Sequence, residues 1–286
     1  MKNVKSGCSK PLVCLDAGHY GKYNQSPVVK DYYESETMWK LHLLLKLQLE
    51  KLGMDVVTTR SKQQEDLGLK ARGKASKGAD LLLSLHSNAA DKESVDYVVA
   101  YHLYPDDGTK IDEQSKELAG MLAPAVAKLM GIKQGGRIET RKGSGDWNGD
   151  GIMNDNYYSV LNGARLVDTP AIILEHSFHT NKAAAQWLMD GDNLVELAKV
   201  EAKLIAQYFG LMQMFTMELP VLERGMKGDA VRALQALLVG WGYPLNIDGS
   251  FGAKTENAVE CYQEDYGLPV DGIVGPKTRA HMEGLG

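Results

Sequence analysis

Leu12-Val13-Cys14-Leu15-Asp16-Ala17-Gly18-His19 is a short apolar run that breaks at Gly18 into a polar side chain. A helical pattern from Ser35 to Leu52, stopped by Gly53, then leads to a second apolar run at Asp55 to Thr59. The same alternation continues outward. A Lys/Arg-rich helical segment lies near Leu67 to Lys77, strand-like runs at Asp80 to His86 and Tyr97 to Tyr104, a helix at Glu113 to Met130, a strand at Ala171 to Glu175, and a helix at Leu194 to Tyr208. Strands separated by helical crossovers predict an α/β domain with a mainly parallel twisted sheet flanked by helices. The intervening stretch Gly131 to Asn156, rich in Gly, Asn and Asp, reads as one long polar loop.

After Gly210 the pattern changes, and residues 211–220 read as a linker between a domain at 11–210 and a smaller one at 221–286. The tail carries an internal repeat. Asp248-Gly249-Ser250-Phe251-Gly252-Ala253-Lys254-Thr255 returns as Asp271-Gly272-Ile273-Val274-Gly275-Pro276-Lys277-Thr278. Each copy is an Asp-Gly turn, an apolar residue and a helix start, which predicts a small all-α, three-helix-type bundle.

The chain has 286 residues, 44% hydrophobic and 24% charged, with a net charge of -5, so disordered and fibrous classes drop out. No block of like charge marks a nucleic-acid partner. The longest apolar runs, Leu43 to Leu47 and Leu81 to Leu85, are too short for membrane insertion. Lys2, Lys5 and Lys10 are not followed by an apolar stretch of leader length, so no signal peptide is expected. Cys8, Cys14 and Cys261 are odd in number and lack metal-type spacing, and are expected to be unpaired thiols.

Functional groups of a doubly wound sheet gather beyond the carboxyl ends of its strands. Three apolar runs end on such groups: His19, His86 and Glu175. If the strands are neighbours, these converge on one rim, joined by Glu34 at the start of the first long helix. Two imidazoles and a carboxylate suit a catalytic zinc site with an open fourth position, leaving the second carboxylate as a base. The residues alone reach no further than a metallohydrolase, because the candidate ligands are far apart in the chain.

The stretches Leu15-Asp16-Ala17-Gly18-His19, Glu34, Thr58-Thr59-Arg60, Arg72, Ser84-Leu85-His86-Ser87-Asn88 and Leu174-Glu175-His176-Ser177-Phe178-His179-Thr180-Asn181 resemble the zinc-dependent N-acetylmuramoyl-L-alanine amidases of the type 3 family, over residues 11 to 209. The tail, with Gly225, Gly228, Val231, Leu234, Gln235 and the two Asp-Gly repeats, resembles the small peptidoglycan-binding module of wall hydrolases. The resemblance implies zinc on His19, Glu34 and His86, and Glu175 as the catalytic carboxylate. Glu36 rivals Glu34, but Glu34 fits the family's helix length. It also implies bacterial peptidoglycan as partner and substrate, with cleavage of the amide between the lactyl group of N-acetylmuramic acid and L-alanine. An endolysin released through a holin-type lesion and an autolysin exported by a non-classical route both fit the absent leader.

Other motifs carry weaker expectations. Asp146, Asn148 and Asp150 match the opening of an EF-hand-type loop and are a candidate calcium site, although position twelve is Tyr157 rather than Glu. Tyr157-Tyr158 resembles a Tyr pair of related amidases, which implies a cleft wall, and Trp147 reads as either a sugar platform or a packed ring. His176 and His179 flank Glu175, so either one faces the cleft or both serve the loop. Asn88 and Asn181 are candidates for orienting substrate amides. Leu41, Leu44, Leu45, Gln48, Leu49 and Leu52 at helical spacing are core, as are most of Trp241, Tyr243 and Phe251.

Overall fold

A computed structural model of the chain describes residues 10–105, 110–146, 155–211, 221–241 and 243–282. The chain divides near Ile205 into two compact units. The first is built on a six-stranded sheet of order β2-β1-β3-β6-β4-β5, from β1 (Leu12–Ala17), β2 (Asp55–Thr58), β3 (Leu81–Asn88), β4 (Val98–His102), β5 (Gly136–Glu139) and β6 (Ala171–Phe178). Pairings from β2 through β1 and β3 to β6 are parallel, as is β4 with β5, and only β4 with β6 is antiparallel. The central strands β3 and β6 are buried on both faces along nearly their whole length and begin with apolar runs, Leu81–Leu83 and Ala171–Leu174, as strands covered by helices on each side do.

The helices of this unit are α1 (Glu34–Lys51), α2 (Leu69–Lys74), α3 (Lys110–Leu129), α4 (Ser159–Arg165), α5 (Lys182–Met189) and α6 (Gly191–Tyr208). Helix α1 forms from a straight-chain, Leu-rich segment with Glu34 and Glu36 in its first turn and Lys51 in its last, charges that suit the helix dipole. It buries Leu41, Leu45 and Leu49 completely. Helices α2 and α4 cross at Gly73 and Gly163. A side chain on Gly73 would come 2.1 Å from Val160 O, so only glycine permits that approach.

One expectation fails here. The stretch Gly131 to Asn156 is not loop throughout, because Gly136–Glu139 forms the edge strand β5. Three of its four residues are exposed or half-exposed polar groups or glycine, so the segment lacks the apolar period that marks buried strands. Cys14 and Cys261 are free thiols, the first buried in β1.

The second unit holds three helices among its described residues: α7 (Asp229–Gly240), α8 (Ala253–Asp265) and α9 (Pro276–Met282). Val231, Leu234, Leu238, Phe251, Val259 and Tyr262 form its core, with Trp241 and Tyr243 packed alongside. Each Asp-Gly turn is gripped by a buried glutamine of the preceding helix. Gln235 Nε2 reaches Asp248 Oδ1 (2.9 Å) and Thr255 Oγ1 (3.0 Å), while its carbonyl accepts from Gly249 N at 2.7 Å. Gln263 repeats the arrangement on Asp271 Oδ1 (2.7 Å), Thr278 Oγ1 (3.0 Å) and Gly272 N (2.9 Å).

Candidate metal centre and active site

Strand β1 delivers His19 by continuing past its own end. Gly18 N donates to Leu85 O at 2.9 Å, extending the ladder by one residue. A side chain at Gly18 would strike the His86 ring at 2.6 Å, so glycine is needed where the two imidazoles meet. His19 then adopts φ 57°, a left-handed conformation that turns its ring back over the site. Below this turn Asp16 is buried, accepting from Thr59 Oγ1 (2.6 Å) and Ser84 Oγ (2.7 Å) and facing Arg72 at 3.4 Å. Arg72 donates to Ala17 O (2.9 Å) and His19 O (3.2 Å), and Arg60 also donates to Ala17 O. The backbone carrying His19 is thus braced by two buried guanidinium groups.

The loop from Tyr20 to Tyr33 returns to the strand end and sets Glu34 as the first residue of α1. Glu34 N donates to Asn24 O at 3.0 Å, and Ser35 Oγ donates to Gly21 O at 2.8 Å. Glu34 is 1% exposed. Its Oε1 lies 2.9 Å from His86 Nδ1 and accepts from Ser87 N at 3.1 Å. Its Oε2 lies 3.3 Å from His19 Nε2 and accepts from Asn24 Nδ2 at 2.7 Å. Burial alone would raise the Glu34 pKa, but the hydrogen bonds from His19 and His86 and their charge outweigh it and hold the carboxyl well below the usual carboxylate range.

His19, Glu34 and His86 each offer one ligand atom within 4.8 Å of the others, the arrangement of a group that can hold a metal ion. Glu36, the rival to Glu34, lies near Lys22 instead, 3.9 Å from its ammonium. Glu175 pairs in register with His86 across β3 and β6. It is 8% exposed, and its Oε2 has no hydrogen-bond partner among the described residues. Burial, and the nearby charge of Glu34, push its pKa well up. All four expected residues therefore meet in one place.

Immediately beyond this pair the strands lose register, four residues of β6 (Glu175 to Phe178) spanning three of β3 (His86 to Asn88). Ser177 takes up the extra residue at φ 60°. His176 turns away from the cleft. Its Nδ1 donates to His86 O at 2.9 Å and its Nε2 lies 2.6 Å from Glu201 Oε1, both side chains being fully buried. His179 stays beside the site, 3.9 Å from Glu34 Oε2, donating to Ser87 O at 2.9 Å and stacking on Tyr32. Asn181 has a different task from the one expected: its Oδ1 accepts from Ala184 N at 3.0 Å and caps α5, while its Nδ2 donates to Glu93 O. Asn88 Oδ1 likewise accepts from its neighbour Ala89 N.

Asn24 and Glu201 escaped the sequence reading. Asn24 follows no motif. Glu201 had a signal, since it lies at helical spacing among Leu194, Leu197, Ala198, Ala202 and Ile205, all buried, and a carboxylate on that stripe needs a partner inside. The candidate calcium residues Asn148 and Asp150, and Trp147, lie outside the described residues. Among those that are described, no helix is long and apolar enough to cross a membrane.

Residues 13–207 match the N-acetylmuramoyl-L-alanine amidase family, and residues 227–282 match a peptidoglycan binding domain family. The chain belongs to the N-acetylmuramoyl-L-alanine amidase family. It is 31% identical over 124 residues to the N-acetylmuramoyl-L-alanine amidase CwlL of Bacillus licheniformis, covering 40% of this chain and 34% of that one. It is 48% identical over 60 residues to the zinc D-Ala-D-Ala carboxypeptidase of Streptomyces albus G, covering 20% of this chain and 24% of that one. The matched stretches thus span only about a quarter to a third of these curated relatives. Among solved structures, the catalytic domain of the amidase CwlV from Bacillus (Paenibacillus) polymyxa var. colistinus superposes with a TM-score of 0.55 at 22% identity, covering 70% of this chain and 99% of that one. That likeness is one of fold.

Proposed function

We propose that the protein is a zinc-dependent N-acetylmuramoyl-L-alanine amidase that acts at the bacterial cell wall, in lysis or remodelling. The observation that carries this reading is the meeting of His19, Glu34 and His86 within ligand distance, beside a buried Glu175 with an oxygen unpartnered among the described residues. The donor set of two imidazole nitrogens and one carboxylate oxygen fits zinc and leaves a position open. A bound zinc ion would supply Lewis acidity toward the scissile carbonyl and a readily deprotonated water.

Glu175 takes the proton from the attacking water and passes it to the departing amine nitrogen, which cannot leave as an anion. Its burial and the adjacent Glu34 carboxylate raise its affinity for a proton, which suits a group that must first accept one and then hold it for delivery. Asn24 and Ser87 N hold Glu34 so that both its oxygens face the imidazoles. The products are a glycan strand with a free lactyl carboxylate and a stem peptide with a free L-alanine amine. The tail binds peptidoglycan and raises the local concentration of the enzyme on an insoluble polymer.

The test is digestion of purified peptidoglycan with zinc-loaded and chelated protein, followed by mass spectrometry of the soluble fragments. Stem peptides beginning with a free L-alanine amine, lost on chelation, are the expected products. Fragments cut within the stem peptide would overturn the reading in favour of a zinc peptidase.

A further inference from the structure

The substrate of the proposed reaction has a direction: on the acyl side of the scissile amide stands an uncharged sugar ring, and on the amine side an acidic peptide. The site has a direction too. Across the sheet, in the order β1, β3, β6, β4, β5, come His19, His86 and Glu175, and the surfaces on the two flanks differ in chemistry.

On the β1 flank the surface is aromatic. Tyr23 stacks on the His19 ring at a centroid distance of 5.3 Å and an interplanar angle of 11°, and Tyr20 stacks on Tyr23 at 5.9 Å. Tyr23 is 50% exposed and Tyr20 37%, so both leave ring surface open to solvent beside a proposed ligand of the metal. On the β4 and β5 flank, where Tyr101 and Tyr158 lie close enough to feel the charge of Glu175, the surface presents a guanidinium, with Glu139 also nearby. Arg141 is exposed, with its guanidinium carbon 3.7 Å from the centre of the Tyr157 ring and a hydrogen bond to Tyr158, which itself packs on Tyr101 of β4. A short antiparallel bridge between Lys142 and Asn156, with Tyr157 N donating to Arg141 O at 2.8 Å, holds the arginine there.

Proton delivery decides which way the substrate lies. Glu175 must reach the leaving nitrogen, and Glu175 stands on the β6 side of His86, away from His19. The amine side of the amide therefore points toward β4 and β5, and the acyl side toward His19. The muramic acid ring is only three bonds from the scissile carbonyl carbon, which confines it to the immediate border of the ligand residues. Uncharged rings stack on aromatic faces, and guanidinium groups recognise carboxylates through paired hydrogen bonds.

We propose that the substrate binds in a single polarity, its sugar ring against Tyr23 and Tyr20 and the carboxylate of its second, acidic peptide residue at Arg141. This rests on the amidase reading and deepens it. Tyr23 then selects for the glycan, and Arg141 distinguishes a free carboxylate from its amide.

The experiment compares kcat/KM on three soluble substrates: a muropeptide with the free carboxylate, the same peptide carrying a lactyl group without the sugar, and the muropeptide with that carboxylate amidated. Tyr23→Ala should lower the preference for sugar-bearing over sugar-free substrate by about tenfold, and Tyr23→Phe should restore it. Arg141→Gln should lower the preference for free over amidated carboxylate by about tenfold or more. Preferences that do not move, or that move in the opposite pairing, overturn the proposed polarity while leaving the amidase reading intact. Failure of the unaltered protein to cut any of the three substrates sinks the amidase reading, and the polarity with it.

Discussion

Glu34 and Glu175 are carboxylates buried in the same site whose proton affinities are driven in opposite directions. Glu34 is held ionised by His19 and His86. Glu175 forms no ion pair among the described residues and is pushed toward its neutral form by burial and by Glu34 itself. Such divergence suits the two different roles proposed for them, metal ligand and proton carrier, better than either position in the chain does.

The divergence predicts opposite pH dependence of stability in the chelated protein. For Glu34 the folded pKa is lowered, so its contribution is present above the ordinary value of 4.5 and is lost as pH falls below it. For Glu175 the folded pKa is raised, so its contribution is present below 4.5 and is lost as pH rises through the folded value. Urea unfolding of chelated protein should therefore find Glu175→Gln more stable than the parent at pH 8, with the gap closing toward pH 4. Glu34→Gln should be less stable than the parent in mildly acidic solution above pH 4.5, where the carboxylate is ionised and histidine is ordinarily charged.

Turnover gives a second test. Glu175→Gln should keep one zinc per chain by elemental analysis, because its side chain is not in the ligand group, and should lose activity by about 10²–10⁴-fold, the range for a missing general acid-base. Loss of zinc together with activity would assign Glu175 to the metal instead.

The buried pair of His176 and Glu201 supports the register break beside His86 from behind. Removing one partner strands the other in a dry interior, so Glu201→Ala should destabilise the first unit by about 3–5 kcal/mol. Replacing both by Leu should recover most of that loss of stability. If the double variant is stable yet binds zinc more weakly, the hydrogen bond from His176 to His86 O is a positioning contact for the ligand and not only a packing device.

In the tail, Gln263→Ala leaves the turn at Asp271 and Gly272 without its acceptor and buries unsatisfied backbone groups, a loss of about 1–3 kcal/mol. Sedimentation with purified peptidoglycan should show weakened retention on the wall, while hydrolysis of a soluble muropeptide should stay at the parent rate.

The alternation of apolar runs and helical periods revealed the sheet, and the polar residues ending those runs marked where His19, His86 and Glu175 come together, because neighbouring strands bring their ends to one rim. What stayed hidden had no period to betray it. Edge strand β5 is short, polar and half-exposed, so it carries none of the pattern that burial imposes on β3 or β6. Asn24 acts through a left-handed backbone turn at φ 53°, a conformation that no neighbouring residue type announces. The role expected of Asn181 failed for a related reason: an asparagine just past a strand is equally well placed to start the next helix, and helix α5 claims it.

The glutamines at 235 and 263 also say where this tail may be cut. Each turn motif is completed by a side chain some eight to fourteen residues upstream of it, so the inheritable piece is a helix together with the turn that follows. A chimera spliced just before Asp248 or Asp271 would carry a turn away from its anchor, whereas one spliced ahead of α7 or α8 would transplant the whole unit.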